Sequence, residues 1–169
     1  NPYAGEIAFA DAQLARLQAW LETADLAGST VVVLAGDHGE SLGEHREATH
    51  GFFIYQEAVH VPLIVATPYS RLQGVSPAAV VSLIDIMPTL LEMTGLPCPP
   101  AVQGQSLVPL FFAPERRAAR FAYSETYYPR FHFGWSELRS IQDGRHKLII
   151  APVPELYDLA ADPAESRNL

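Results

Sequence analysis

The 169-residue sequence holds one cysteine, Cys98, so no disulfide can close within it and thiol chemistry does not report its compartment. Long apolar runs are also missing. The richest stretch, AAVVSLIDIMPTLLEM, is broken by Asp85 and Pro88, which excludes a membrane-spanning helix of about 18 apolar residues. Basic residues are scarce: 11 Lys and Arg stand against 19 Asp and Glu, for a net charge of −8. A sequence-independent grip on nucleic acid needs clustered cations, so that class is excluded. A small anionic substrate is not excluded, because a bound metal can reverse the local field. The opening NPYAGEIAF lacks a basic segment followed by an apolar run, so it is not a signal peptide. It also lacks an initiator methionine, as expected of a piece of a longer protein. Repeats and low-complexity segments are absent.

What is present suits a folded domain. The composition is 49% hydrophobic and 18% charged, and a domain this long buries roughly 70% of its unfolded surface. Residues 5–25 carry Ile7, Ala10, Leu14, Leu17 and Leu21 at helical spacing. Residues 30–35, TVVVLA, form a β-branched apolar run suited to a strand covered on both faces, and HVPLIVATP at 60–68 predicts a second. SLIDIMPTLLEMT predicts a helix over about 82–94, with Pro88 either splitting it or opening a second one. After residue 118 the pattern changes to short strands, with Asp143-Gly144 as a hairpin turn between LRSIQ and HKLII. The expectation is α/β: residues 1–117 as a partial central sheet flanked by helices, and 118–169 as a small antiparallel subdomain.

The chemistry collects in VVVLAGDHGESLGEH, residues 31–45. In open α/β sheets, functional groups gather beyond the carboxyl ends of strands, where Asp37 and His38 stand. A carboxylate and an imidazole can together hold a divalent cation from one turn, and Gly36 and Gly39 permit backbone approaches that a β-carbon resists. The plain alternative is that Asp37 caps a helix starting near GESLGEH and His38 is a surface residue. His45 and His50 follow within 13 residues of Asp37, and Glu40, Glu44 and Glu47 make the loop acidic.

Several segments, in order, resemble the sulfatases of the alkaline-phosphatase-like superfamily. They are YAGEIAFADAQLARL with Tyr3, Glu6 and Asp11, then VVVLAGDHGESLGEH, THGFFIYQEAVHVPLIV and SLIDIMPTLLEMTGLP. VQGQSLVPLF, DGRHKLI and ELYDLAADPAESRNL follow. The resemblance covers nearly the whole sequence and implies an alkaline-phosphatase-like fold and hydrolysis of a small-molecule or carbohydrate sulfate ester. It implies that Asp37 and His38 are consecutive metal ligands, with Ca²⁺ the leading candidate and Mn²⁺ or Zn²⁺ as alternatives that imidazole suits better. It places His50 against the ester, to neutralise its oxygens or protonate the leaving alcohol. His45 is expected on the loop surface.

The family's nucleophile is a formylglycine made in a Cys/Ser-x-Pro-x-Arg motif. CPPAV at Cys98 lacks that arginine, because Val102 stands in its place. The nucleophile is therefore expected outside this chain, and the isolated chain is expected to be inactive, with a homodimer possible through the exposed face of a truncated sheet. The parent's compartment is open, with a lean to periplasm or exterior. Rival readings are a phosphonate monoester or phosphodiester hydrolase of the same superfamily, and a non-catalytic domain that keeps the fold. The aromatic run YSETYYPRFHFGW is expected mainly as core of the C-terminal subdomain, with an outer substrate wall as the alternative. Trp20 is expected as core or rim, Lys147 as a pairing or snorkelling cation, and Arg116–Arg117 as a solvated turn.

Overall fold

The computed structural model describes residues 2–68, 72, 74–115 and 119–169. The expected domain boundary at 117/118 and the Arg116–Arg117 turn lie outside them. Two compact units are present, one of residues 1–33 with 65–73 and one of residues 34–64 with 74–169.

In the first unit, α1 runs over Pro2–Thr23 and buries none of its residues. Trp20 is 57% exposed in this portion of the protein. No described helix is long and apolar enough to cross a membrane.

β1 (Val32–Ala35) and β2 (Leu63–Ala66) form a two-stranded sheet. Every β1 residue is half-buried rather than sealed on both faces. Between these strands the second unit holds the site loop and the short helix α2 (Gln56–Val59).

After β2, a 3₁₀ turn at Leu83–Asp85 leads into α3 (Ile86–Met93). Pro88 sits in the first turn of α3, where its missing N–H has no intrahelical partner to lose, so it does not split the helix. α4 (Val108–Phe112), with Pro109 near its start, was not evident in the sequence.

The C-terminal part is an antiparallel sheet in the order β3–β4–β5–β6. Its strands are Ala122–Thr126, Leu138–Gln142, His146–Ile150 and Glu155–Asp158. The β4–β5 hairpin turns at Asp143-Gly144 as expected. Asp143 Oδ1 accepts the N–H groups of Arg145 and His146, and Gly144 takes a φ of 92° that disfavours a side chain. Those two N–H groups hold the Asp143 carboxyl below the usual range. Ile54, Ile149 and Tyr157 form one buried apolar cluster, Ala58, Leu107, Leu110 and Ala122 are buried as well, and buried polar contacts accompany them.

One such contact organises the turn before α3. Asp85, 5% exposed, accepts N–H groups from Ser82 and Gln105 and pairs with the buried Arg120 guanidinium at 2.7 Å. Thr89 Oγ1 donates to the Asp85 carbonyl and accepts the Leu107 N–H. Gly104 is packed so tightly here that a β-carbon would meet the Ile84 carbonyl oxygen at 2.0 Å. The Asp-x-x-Pro-Thr pattern of residues 85–89 is thus a structural clamp.

Candidate functional site

The site is built on the chain leaving β1. Gly36 donates to the Pro62 carbonyl and Gly39 to the Ala58 carbonyl, which straps the turn against the α2–β2 connection. Gly39 is obligatory, since a β-carbon there would stand 1.9 Å from the Glu57 carbonyl oxygen. No helix starts at GESLGEH. The chain instead makes a loop with a single 3₁₀ turn at Glu44–Arg46, which removes the helix-cap alternative for Asp37. Asp37 Oδ1 accepts the neighbouring His38 N–H, and the side chain is 92% exposed.

His38 Nδ1 lies 2.9 Å from the Gly39 carbonyl oxygen, so Nδ1 is the donor and Nε2 keeps its lone pair. A backbone carbonyl that fixes the tautomer in this way is a common support for a metal-binding histidine. His38 Nε2 is 3.9 Å from Asp37 Oδ2, a gap that an ion about 2.0–2.4 Å from each could bridge. Among the described residues no group of three His, Cys, Asp or Glu side chains could hold a metal.

His50 reaches the same place from farther along the loop. Its ring centroid is 3.9 Å from that of His38. Its Nδ1 donates to Glu40 Oε2 at 3.0 Å, which leaves Nε2 as the ring's open nitrogen. Glu40 was visible only as loop charge; this contact is what orients His50. Asp37, His38 and His50 all line a cleft of about 880 Å³, with further walls from residues 77–84 and the β3 face. The three residues expected to carry the chemistry therefore converge.

The other members of the loop have different fates. Glu47 is 5% exposed and accepts the N–H groups of Phe52 and Phe53, which pins the chain just after His50. The backbone N–H groups of Glu44 and Leu42 hold the Glu44 carboxyl below its usual range. His45 is not a surface residue. It stacks on Tyr55 with centroids 3.6 Å apart, and its Nε2 donates to the Ala164 carbonyl. It accepts a left-handed φ of 48° to do so, and it ties the loop to the C-terminal segment.

Beneath the loop lies a buried polar network. Tyr55 and Tyr157 both donate to Glu155 Oε2, at 2.8 and 2.7 Å, and burial with that carboxylate pushes both phenols well up. Lys147 Nζ lies 2.8 Å from Glu165 Oε1 with both side chains sealed, although the approach falls outside hydrogen-bond geometry. Burial draws the ammonium down while Glu165 opposes the drop. Lys147 therefore pairs, as expected, but it does not snorkel and it does not line the cleft. Cys98 is exposed in a loop away from the cleft lining.

Comparison with known proteins identifies the family. A sequence model of the family described as N-sulphoglucosamine sulphohydrolase, C-terminal, matches residues 43–169. Arylsulfatase K of Mus musculus is 33% identical over 94% of this chain and 30% of its own length. A structure solved in complex with its substrate D-glucosamine-2-N,6-O-disulfate superposes with a TM-score of 0.74 at 31% identity, over 94% of this chain and 33% of that one. The phosphonate monoester hydrolase of Agrobacterium radiobacter gives a TM-score of 0.81 at 30% identity, over 98% and 36%. The chain spans about a third of the length of these relatives, and its fold is the alkaline-phosphatase-like α/β type with a small antiparallel C-terminal part. By the family match over residues 43–169, the chain belongs to the sulfatases, as a C-terminal portion.

Proposed function

We propose that the protein carrying this chain hydrolyses sulfate esters, with a carbohydrate sulfate as the substrate class. In this reading Asp37 and His38 supply two ligands to a divalent cation and His50 faces the ester. The observation that carries it is the convergence of the three side chains in one cleft, with His38 Nε2 left open 3.9 Å from Asp37 Oδ2. The donor set fits a cation as far as it goes, one hard oxygen and one imidazole nitrogen, and the remaining ligands come from elsewhere in the protein. Calcium leads, and the imidazole favours manganese or zinc over a purely oxygen-bound site. When bound, the ion would stabilise charge on the ester oxygens.

The rest falls to side chains of this chain. His38 is held by the Gly39 carbonyl so that its ring does not need to reorient to bind. His50 has Nδ1 committed to Glu40, so Nε2 is left to donate to an ester oxygen or to the departing alcohol. The nucleophile of this reading, a formylglycine, lies outside residues 1–169.

A second reading is favoured by the histidine at position 38 and by the extent of the superposition on the phosphonate monoester hydrolase. It assigns the same residues to a phosphonate monoester. Parallel assays of the parent protein with 4-nitrophenyl sulfate and phenylphosphonate monoester, each with Ca²⁺, Mn²⁺ or Zn²⁺, separate the two. The sulfate reading expects the higher kcat/KM on the sulfate. Preference for the phosphonate selects the second reading, and turnover of neither ester contradicts both.

A further inference from the structure

The aromatic run after β3 does not form the core. It folds into α5 (Tyr128–Phe133), closed by Gly134 at a left-handed φ of 68°. That turn lets Trp135 donate its N–H to the Pro129 carbonyl and brings its indole back to 5.1 Å from the Phe133 ring. Phe52, from the site loop, packs between them: its centroid is 5.1 Å from Tyr128, 5.5 Å from Phe133 and 6.3 Å from Trp135. Trp135 is 62% exposed and Phe133 50%, so neither is core within this portion. Rings fixed by one another but open on one side make a platform, not a collapsed cluster.

None of the four rings lines the cleft, but the backbone that carries them is tied to its wall. Phe52 lies two residues after His50, and the Gly51 between them lines the cleft. Thr126, also in the lining, donates to the Gly51 carbonyl, and the Tyr128 N–H reaches back to Thr126 Oγ1 at 3.3 Å. The open rings are thus held beside the place where His50 meets the ester.

We infer that Phe133 and Trp135, braced by Phe52 and Tyr128, form a stacking subsite for the sugar ring next to the one that carries the scissile sulfate. The inference rests on the sulfate-ester reading above and specifies its substrate as longer than a monosaccharide. A pyranose offers an apolar C–H face that suits an indole or phenyl face, whereas its hydroxyls stay in water. The nearby cations are already engaged: Arg130 pairs with Glu137 at 3.0 Å, and Arg139 donates to Tyr127 Oη at 2.7 Å. The platform therefore reads ring shape, not charge.

The test uses a tetrasaccharide ending in D-glucosamine-6-O-sulfate and that monosaccharide alone, titrated calorimetrically into the full chain. The tetrasaccharide should bind about three- to tenfold more tightly, the worth of one stacked ring. Trp135→Ala and Phe133→Ala should each remove most of that advantage, leave monosaccharide affinity unchanged and leave the melting temperature unchanged. Equal affinity for the two saccharides, or no binding of either, overturns the subsite. So does a fall in melting temperature with both affinities weakened alike, which would mark the rings as a packing face. Ester hydrolysis by the parent is read separately. If it persists with no dependence on saccharide length, the subsite alone fails; if it is absent, the sulfate-ester reading fails.

Discussion

The loop after β1 and the turn before α3 each carry an aspartate, and the two carboxylates end in opposite states. Asp85 is sealed, with two backbone N–H donors and the Arg120 guanidinium filling its lone pairs. Asp37 is 92% exposed on its side chain and accepts one weak local bond. A buried carboxylate has to be satisfied by its own fold, because an unpaired one costs several kcal/mol. An exposed carboxylate held in a fixed turn, beside an imidazole whose lone pair is left open, keeps its capacity for something from outside. The difference separates a structural acid from one proposed to be functional more sharply than sequence position does.

Breaking the structural side should give the largest effect on folding. Asp85→Ala leaves Arg120 buried and unpaired, with an expected loss of about 3–5 kcal/mol in urea unfolding. A loss below about 1 kcal/mol would mean that the clamp is dispensable. Lys147→Ala should approach that cost, because Glu165 loses its partner in a sealed site, whereas the paired change Lys147→Met with Glu165→Gln should cost less, since no buried charge is left unpaired. On the functional side, His50→Ala should lower ester hydrolysis by the parent roughly a hundredfold and leave stability within about 0.5 kcal/mol. Hydrolysis within about twofold of wild type would remove His50 from the chemistry.

The smallest effect is a pH dependence. Tyr55 and Tyr157 hold their protons above the ordinary tyrosine value, so above about pH 10 the folded chain binds more protons than the unfolded one. Their contribution is complete below that pH and is lost as pH rises through it. Lys147, drawn down by burial, acts in the opposite direction below its own ordinary value. Urea unfolding between about pH 8 and 11 should therefore show a shallower alkaline fall in the Tyr55→Phe/Tyr157→Phe variant. An unchanged slope would contradict the raised phenols.

Much of the candidate site was legible before the structure, because its signal is local. Asp37 and His38 are adjacent, follow an apolar run and sit between glycines, and those features travel together in sequence. The hairpin at Asp143-Gly144 was legible for the same reason. What stayed hidden depends on long-range partners. Glu47 and His45 looked like solvated loop residues, yet one caps Phe52 and Phe53 and the other stacks on Tyr55 and bonds to Ala164, 119 residues away. Gly39 and Gly104 are needed because backbone from another segment passes within a β-carbon's reach, which no spacing reveals. The aromatic run was misjudged because ring content predicts burial only on average. Here Pro129 and Gly134 shape a short helix that turns the rings outward. β1 is half-buried because it pairs here in a sheet of two strands, whereas its β-branched run suits the fuller sheet expected of the whole domain.

The most direct test of the central claim is metal content and ester hydrolysis of the parent protein carrying Asp37→Ala or His38→Ala, measured together. The account predicts that each variant loses bound divalent ion and more than about a hundredfold in kcat/KM, while urea stability stays within about 0.5 kcal/mol of wild type. Variants that retain full metal and full rate would contradict it.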